Sequence, residues 1–281
     1  MSLTGHSRLA GVIGWPVSHS RSPRLHGFWL DELGIDGAYV SLAVPPDRLV
    51  DALKGLAALG FRGANVTVPH KTAALDTCDS LDPAARAIGA VNTIVVGDEG
   101  ALAGMNTDAM GFLANLDQES GFRAAGKNAV ILGAGGAARA IAWALADAGA
   151  ACVAVVNRTP ERAQALAAEL GGPLTARPWP ALADSLAGAD LLVNATSLGM
   201  QGKPPLEVDL SPLGADAVVN DIVYTPLETE LLRQARSREL AVVDGLGMLL
   251  HQAVPGFERW FGATPKVTPA LRAFVLKDLT A

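Results

Sequence analysis

The chain has 281 residues, half of them hydrophobic, and a formal net charge of −6 at pH 7. This length can bury a sizeable core and predicts two domains, while the acidic balance argues against a protein that binds nucleic acid. Cys78 and Cys152 lie far apart and form no metal or redox motif, so we expect free thiols and no metal site. The start of the chain lacks the apolar core of a signal peptide, and no apolar stretch is long enough to cross a membrane. We therefore expect a cytoplasmic protein that does not engage a membrane.

Strands and helices alternate over the first 108 residues. Apolar runs predict strands at 9–13, 38–44, 63–68 and 90–96, with helices at 23–33 and 47–59. A short helix at 111–116 would link this α/β region to a second one.

Polar residues stand at the ends of these predicted strands or in the loops after them, where ligands bind in open α/β sheets. Alternation places Asn65 and Thr67 on one face of their strand, and Lys71 follows directly. The residues of this kind are Ser18, Ser20, Asn65, Thr67, Lys71, Asn92 and Asp108. Together they would recognise a small polyhydroxylated molecule.

Each of these residues also has an ordinary interpretation. Ser18, Ser22 or Asp108 could cap a helix, and Lys71 could be a solvated surface charge. It is the joint occurrence of the residues that favours a binding site.

A strand–turn–helix pattern begins near residue 129. An apolar run ends at Gly133, an Ala-rich helix is predicted at 137–148 before Gly149, and a second apolar run at 152–156 completes a βαβ unit. In this setting Gly133-Ala134-Gly135-Gly136-Ala137-Ala138 fits the dinucleotide-binding fingerprint, whose glycines let a pyrophosphate approach the helix N-terminus. The alternative is a glycine-rich turn that binds nothing.

The end of the second strand of this unit predicts which dinucleotide binds. NAD sites usually place an acidic residue there, whereas this chain has Asn157-Arg158-Thr159. Arg158 and Arg162 could pair with a 2′-phosphate, and Thr159 resembles an N-cap with Pro160 at the first helical position. NADP is therefore favoured over NAD, the alternative being a capped surface helix with ordinary arginines.

Three more strands are predicted in the second region, at 191–194, 217–220 and 240–243. The tail, 248–281, is predicted to be helical. Because the second region already has its strands, we expect the tail to pack on the first. The predicted domains are therefore 1–108 plus 249–281, and 109–248.

Nine motifs in this order resemble the shikimate dehydrogenase family over essentially the whole chain. They are Gly14-x-Pro16-x-x-x-Ser20-x-Ser22-Pro23, Asn65-Val-Thr-Val-Pro-His-Lys71, Gly89-Ala-Val-Asn92-Thr93, Asn106-Thr-Asp108, Gly133-Ala-Gly-Gly-Ala137, Asn157-Arg-Thr159, Asn194-Ala-Thr-Ser197, Asp221-Ile-Val-Tyr224-Thr-Pro226 and Asp244-Gly-Leu-Gly-Met-Leu-Leu-His-Gln252.

The resemblance implies an α/β fold with a split N-terminal α/β substrate domain and a Rossmann-type NADP-binding domain. It implies reversible, NADPH-dependent reduction of 3-dehydroshikimate to shikimate in chorismate and aromatic amino-acid biosynthesis, with NADP(H) as cofactor. It leaves open whether the protein forms a homodimer.

Family roles can be carried over to matching positions. Lys71 and Asp108 would form the catalytic pair. The residues implied to bind substrate are Ser18, Ser20, Asn65, Thr67, Asn92, Tyr224 and Gln252. The residues implied to bind cofactor are Gly133, Ala134, Gly135, Gly136, Ala137, Asn157, Arg158, Thr159, Arg162, Thr196, Ser197, Ile222 and Gly245. His70 and His251 are interpreted as packing or surface residues.

The residue types suit this chemistry. Hydride addition to a ketone develops negative charge on oxygen, and a nearby cation or acid lowers that barrier. Lysine side chains are ordinarily protonated at pH 7, so Lys71 could donate to the oxyanion while Asp108 holds the reacting groups in place.

Two alternatives remain open at this stage. A quinate or dual quinate/shikimate dehydrogenase using NAD would be closely related, but related quinate enzymes often have threonine as the second residue of the Ser18/Ser20 pair. A non-catalytic metabolite sensor could reuse the fold, although binding alone would not require both Lys71 and Asp108.

Overall fold

The computed structural model describes residues 3–277 and shows an α/β protein. The strands are β1 (Arg8–Gly14), β2 (Gly37–Ala43), β3 (Phe61–Val66), β4 (Ser80–Leu81), β5 (Thr93–Val96), β6 (Leu102–Met105), β7 (Asn128–Leu132), β8 (Cys152–Asn157), β9 (Leu174–Pro178), β10 (Leu191–Asn194), β11 (Val218–Asp221) and β12 (Ala241–Val243). The helices are α1 (Ser22–Glu32), α2 (Leu49–Ala58), α3 (Pro83–Ile88), α4 (Asp108–Ser120), α5 (Gly136–Asp147), α6 (Pro160–Leu170), α7 (Leu182–Leu186), α8 (Glu230–Ser237), α9 (Leu246–His251), α10 (Ala253–Phe261) and α11 (Pro269–Leu276).

The chain divides into two compact units. The first unit joins the residues up to Thr107 with those from Gln252 onward, and the second spans Asp108–His251. The first unit is therefore built from two separate parts of the chain, while the second is continuous.

The first unit contains a mixed six-stranded sheet in the order β2-β1-β3-β5-β6-β4. Strands β2, β1 and β3 are parallel, β5 runs antiparallel to both β3 and β6, and β4 is parallel to β6. One core cluster of this unit lies between the sheet and α2 and includes Ile13, Leu53, Val66 and Ile94.

The C-terminal helices of the described chain pack within the first unit. The indole of Trp260 on α10 donates to the Ile94 carbonyl oxygen at 2.9 Å. Gly63 lies under this contact with φ +150°, and a Cβ there would come within 2.2 Å of Trp260 Nε1. Only glycine lets α10 approach β3 this closely, so the tail and the sheet form one core. Residues 278–281 of the predicted helical tail lie outside the described residues.

The second unit contains a six-stranded parallel sheet in the order β9-β8-β7-β10-β11-β12. Counted from the first strand of the unit, this order is 3-2-1-4-5-6, the arrangement of the doubly wound dinucleotide-binding fold. The strand order reverses between β7 and β10, which places a crevice for ligands at the carboxyl ends of these two strands.

Several predicted boundaries differ from the structure. The predicted strand 63–68 ends at Val66, and the strand expected at 90–96 begins only at Thr93. Asp108 begins α4 in the second unit, and residues 249–251 belong there with α9, whereas the sequence-based boundaries place both in the first domain. A Cβ on Gly247 of α9 would come within 1.7 Å of Asn115 on α4, so these two helices pack closely. That packing keeps residues 249–251 with the second unit.

Candidate active site

The strand directions of the first unit bring four polar segments to one edge of its sheet. The carboxyl ends of β1 and β3 meet there because these strands are parallel. The antiparallel strand β5 begins at the same edge, with Thr93 opposite Asn65 on one side and opposite Met105 at the end of β6 on the other. The residues after β1, β3 and β6 and before β5 therefore lie close together.

Buried amides and hydroxyls interlock at this edge. Asn65, only 6% exposed, donates from Nδ2 to the Asn92 carbonyl oxygen at 3.2 Å and to Thr93 Oγ1 at 3.0 Å. Asn92 Oδ1 accepts from Thr93 Oγ1 at 3.0 Å, Thr107 N at 2.8 Å and Thr107 Oγ1 at 3.1 Å. Buried polar groups that satisfy one another in this way fix a single arrangement. We call these residues, Asn65, Asn92, Thr93 and Thr107, the amide–hydroxyl network.

Main-chain bonds hold the segment that carries Lys71. The Trp15 N–H donates to the Val68 carbonyl at 3.1 Å, and the Lys71 carbonyl accepts from Val91 N at 2.8 Å. His70 is buried, and its Nε2 lies 2.8 Å from the Val44 carbonyl oxygen. His70 is therefore a packing residue. These contacts fix the backbone that carries the half-buried Lys71.

Thr67 and Gln252 also lie in the first unit. Thr67 is half-buried and packs on the end of β1, where a Cβ on Gly14 would come within 2.6 Å of its methyl carbon. Gln252 is 9% exposed and occupies the N-cap position of α10.

The two serines follow β1 in the loop before α1. Ser18 is exposed, and the half-buried Ser20 accepts from the Ser22 N–H through Oγ at 3.3 Å. The N-cap position of α1 falls on Arg21. The alternative of Ser18 or Ser22 as the cap is therefore wrong.

In the second unit the glycine-rich turn joins β7 to α5. Gly133 has φ +109°, and a Cβ there would come within 3.0 Å of the Ala195 carbonyl oxygen and 3.1 Å of the Thr196 methyl. The N-cap of α5 is Gly135, and Cβ atoms built on Gly135 and Gly136 meet nothing within 4 Å among the described residues. The turn therefore presents helix N–H groups beside open space, as a phosphate requires. Ala134 and Ala137 flank these glycines and are half-buried.

A buried carboxylate organises the ends of β10 and β11. Asp221 accepts from Asn194 Nδ2 at 2.9 Å, from Val223 N at 3.0 Å and from Thr229 Oγ1 at 2.7 Å. Asn194 Oδ1 in turn accepts from Thr196 N at 3.0 Å and Thr196 Oγ1 at 2.7 Å. Burial raises the pKa of Asp221 above its ordinary value, against the opposing effect of its hydrogen bonds.

Other predicted site residues lie in the loops after β10, β11 and β12. A Cβ on Gly245 would come within 2.2 Å of the Ile222 carbonyl oxygen, so the turn after β12 packs directly on the residue after β11. Ser197 is exposed and Tyr224 is half-buried in the loops that follow β10 and β11. These four residues lie at the carboxyl edge of the parallel sheet: Ser197, Ile222, Tyr224 and Gly245.

The residues predicted to bind a 2′-phosphate follow β8 at the same edge. Asn157 Nδ2 donates to the Thr159 carbonyl at 2.8 Å, and this bond shapes the turn that carries Arg158. Arg158, Thr159 and Arg162 are exposed. Thr159 holds the N-cap position of α6, as predicted, although its side chain makes no capping bond to any described residue.

The chemistry of these two edges is different. The first unit offers interlocked side-chain amides and hydroxyls, with a lysine beside them. The second offers open main-chain N–H groups and exposed arginines, which suit a phosphorylated dinucleotide. Across residues 3–277 the structure shows no cluster of three or more His, Cys, Asp or Glu placed to hold a metal, and no helix long and apolar enough to cross a membrane. Fold and site thus define a two-unit α/β protein with a Rossmann-type dinucleotide-binding sheet.

Comparisons with known proteins identify the family. Three family models match the chain: the shikimate dehydrogenase substrate binding domain at residues 12–94, shikimate / quinate 5-dehydrogenase at 115–200, and the shikimate 5′-dehydrogenase C-terminal domain at 245–273. A protein of Paramagnetospirillum magneticum named shikimate dehydrogenase (NADP(+)) is 58% identical over 275 residues, covering 98% of this chain and 100% of the relative. The chain belongs to the shikimate dehydrogenase family.

Two solved structures resemble the chain over nearly its whole length. Shikimate 5-dehydrogenase of Thermus thermophilus, in complex with NADP(H) and shikimate, has a TM-score of 0.85 and 40% identity, covering 97% of this chain and 99% of that chain. Quinate dehydrogenase of Corynebacterium glutamicum, in complex with NAD, has a TM-score of 0.88 and 34% identity, covering 96% and 99%. The fold alone therefore does not separate these two activities.

Sequence reasoning missed part of the first-unit edge. The sequence motifs contain Thr93 and Thr107 without predicting a role for them, yet both are buried in the amide–hydroxyl network. No motif contains Tyr39, although its hydroxyl donates to Asn65 Oδ1 at 2.6 Å. One signal was available, because Tyr39 is one of only two tyrosines and is the second residue of the strand predicted at 38–44.

Proposed function

We propose that the protein is an NADP-dependent shikimate dehydrogenase, which reversibly reduces 3-dehydroshikimate to shikimate. The amide–hydroxyl network beside Lys71 is the structural observation that carries this proposal, because it fixes neutral hydrogen-bond donors and acceptors at the sheet edge, as recognition of a small polyhydroxylated acid requires. Near-complete coverage of a 58% identical relative named shikimate dehydrogenase (NADP(+)) supports it.

The two units would divide the work. The first unit would bind substrate through Ser18, Ser20, Asn65, Thr67, Asn92 and Gln252, and Tyr224 is a further proposed substrate residue. The second unit would bind NADP through the glycine-rich turn, Thr196, Ser197, Ile222 and Gly245, with Asn157, Arg158, Thr159 and Arg162 at the 2′-phosphate. The open space at Gly135 and Gly136 fits a pyrophosphate, and the exposed arginines fit an additional phosphate.

Lys71 and Asp108 would perform the proton chemistry. NADPH supplies the hydride when it is bound. Lys71 Nζ would donate a proton to the oxygen on which negative charge develops, and in the reverse direction it would accept the hydroxyl proton. Asp108 would accept a hydrogen bond from the reacting hydroxyl or the lysine and so fix the geometry of the transfer.

Quinate oxidation with NAD is the second candidate function, favoured by the likeness to the quinate dehydrogenase structure. The exposed Arg158 and Arg162 and the Ser18/Ser20 pair favour NADP and shikimate instead. The test is a steady-state comparison of shikimate and quinate, each with NADP and NAD, with Lys71→Ala protein as the background control. We expect shikimate with NADP to be oxidised far faster than quinate with NAD. Equal or reversed rates would reject the proposal, and absence of turnover with defined shikimate binding would favour a sensor.

We also propose a cytoplasmic protein of aromatic amino-acid biosynthesis that binds no nucleic acid, in keeping with the net charge of −6. The proposal includes a homodimer, which sedimentation of the purified protein tests. A single species at the 28.9 kDa mass of one chain would reject the dimer.

A further inference from the structure

Tyr39 crosses one strand of the first sheet to reach Asn65. The registers place Tyr39 opposite Ala10 and Asn65 opposite Val12, so the two residues lie on the same face, two positions apart along β1. Ala10 is small and fully buried, which leaves room for the phenol to pass over it. The Tyr39 hydroxyl then donates to Asn65 Oδ1 at 2.6 Å.

This bond fixes the orientation of the Asn65 amide. An asparagine side chain has an acceptor oxygen on one side and two N–H donors on the other. With Oδ1 toward Tyr39, both N–H groups are directed to the Asn92 carbonyl and Thr93 Oγ1. A flipped amide would set oxygen against the Asn92 carbonyl oxygen. Burial raises the pKa of Tyr39 well above its ordinary value, so the phenol keeps the proton that it donates.

The orientation of the Asn65 amide also determines that of the Asn92 amide, through Thr93. Thr93 has one hydroxyl proton, and since its oxygen receives the Asn65 N–H, that proton is available for Asn92 Oδ1 at 3.0 Å. The Thr107 N–H donates to the same oxygen at 2.8 Å. The amide oxygen of Asn92 is therefore turned into the network, and its Nδ2 lies on the other side of the same amide group.

Aromatic rings hold the phenol in place. The ring of His26 stacks on Tyr39 with centroids 3.9 Å apart and planes inclined by 7°. Phe257 and Trp260 of α10 lie 5.8 and 5.7 Å from the His26 ring. All four residues are buried, so the phenol is confined to one position.

We propose that Tyr39 is a positioning residue for the substrate site, which acts by orienting the Asn65 amide and, through Thr93, the Asn92 amide. The inference rests on the function proposed above. Tyr39 itself need not touch substrate. By fixing the Asn65 amide it determines whether Asn92 presents oxygen or nitrogen to a hydroxyl or carboxylate, and so it sets the affinity for substrate rather than the rate of the chemical step.

The test is a double-mutant cycle of Tyr39→Phe, Asn65→Ala and the combined variant, measured as KM for shikimate, KM for NADP and kcat. Tyr39→Phe should raise the KM for shikimate roughly tenfold, because a buried acceptor loses its donor, while kcat and the KM for NADP change little. In the Asn65→Ala background, Tyr39→Phe should have no further effect on shikimate.

Trp29→Phe is the matched control. The Trp29 ring N–H donates to the Lys266 carbonyl at 3.0 Å, and the ring packs against His26 in the same aromatic cluster. The substitution removes that donor and leaves the hydrogen bonds of Asn65 in place. It should lower the thermal midpoint and leave the KM for shikimate unchanged. An unchanged KM in active Tyr39→Phe enzyme, or equal effects of Tyr39→Phe with and without Asn65, would overturn the proposal.

A second measurement needs no turnover. The Asn65 side-chain amide signals, assigned in ¹⁵N NMR spectra by their loss in Asn65→Ala, should shift in ligand-free Tyr39→Phe and stay in place in Trp29→Phe. Unmoved signals would reject the orienting role. A wild-type protein that does not oxidise shikimate would instead reject the proposed function, so the two failures are distinguishable.

Discussion

Under the proposed function, the two sheet edges recognise different kinds of ligand. At the edge of the first unit, Asn65, Asn92, Thr93 and Thr107 are buried and bonded to one another, so the side chains hold a fixed pattern of donors and acceptors. At the edge of the second unit, the backbone turn at Gly135 is open and Arg158 is exposed. A small ring with several hydroxyls demands fixed directions, whereas phosphates can be bound by main-chain N–H groups and flexible cations.

The two edges also differ in whether their buried polar groups can ionise. The first edge is built from neutral amides and hydroxyls, which keep their charge state over the physiological range. The second edge is organised by the buried carboxylate of Asp221. Substitutions at the first edge should therefore alter substrate affinity or rate, and substitutions at the second should alter cofactor affinity or stability.

The largest expected effect is that of Lys71→Ala on kcat. General acid–base groups contribute about 10²–10⁴-fold, so kcat should fall by that range while the KM for shikimate changes much less. Steady-state rates decide this, with Lys54→Ala as the control because Lys54 is an exposed lysine of the same unit. A near-normal kcat with only a raised KM would make Lys71 a binding residue.

At the second edge, Arg158→Ala should weaken NADP selectively. Loss of one charge-assisted phosphate contact costs about 1.5–3 kcal/mol, which would raise the KM for NADP by about one to two powers of ten and leave the KM for NAD little changed. Arg123→Ala is the control, because Arg123 pairs with Asp117 on the surface and precedes β7 at the opposite edge of the sheet. Equal changes for NADP and NAD would contradict a 2′-phosphate contact.

Two glycines of the same turn should respond differently. Gly133→Ala should lower the free energy of unfolding by about 1–3 kcal/mol, because φ is +109° and the Ala195 carbonyl is close. Gly135→Ala should cost less than about 1 kcal/mol, since its φ is −90° and its surroundings are open, yet it should weaken NADP binding. Denaturant unfolding and NADP titration measure both effects. Equal losses of stability would show that the turn is not strained.

Sequence patterns predicted the glycine-rich turn well for a physical reason. Glycine positions report backbone geometry directly, and Gly133 does adopt a positive φ beside a neighbouring loop. The helix that follows begins at Gly136 and ends at Asp147, close to the predicted 137–148, because its apolar spacing and Gly149 mark both ends. Local signals are sufficient where local geometry decides the structure.

The first edge was harder to predict because its contacts are not local. Ala90 and Val91 extend an apolar run, which predicted a strand from residue 90. In the structure the Asn92 N–H donates to the Met105 carbonyl, and the Asn92 side chain accepts from the Thr107 N–H. Tyr39 and Asn65 are 26 residues apart and meet only because β1 lies between β2 and β3. A short stretch of sequence predicts neither the order of the strands nor their register.

Two buried titratable groups, His26 of the first unit and Asp221 of the second, should change the stability in opposite directions as the pH changes. Burial lowers the pKa of His26 to about 3, against a smaller opposing effect of the Asn65 side chain. His26 therefore stays neutral in the folded first unit. Its contribution to the free energy of unfolding is fully present above the ordinary pKa of 6.5 and is lost as the pH falls toward 3, by at most about 1.4 kcal/mol per pH unit. His26→Phe should remove this decline. Its stability relative to the wild type should rise as pH falls from 7 to 4 in denaturant unfolding.

Asp221 should give the smallest effect, with the opposite sign. Its pKa is raised in the folded state, so its contribution to stability is full below the ordinary value of 3.8 and is lost as pH rises through the folded value. Asp221→Asn keeps an acceptor for Asn194 and Val223 but cannot ionise. The variant should therefore gain stability relative to the wild type as pH rises from 4 to 7. If this difference were flat, the hydrogen bonds to Asp221 would offset its burial, and the second edge would be as insensitive to pH as the amides and hydroxyls of the first.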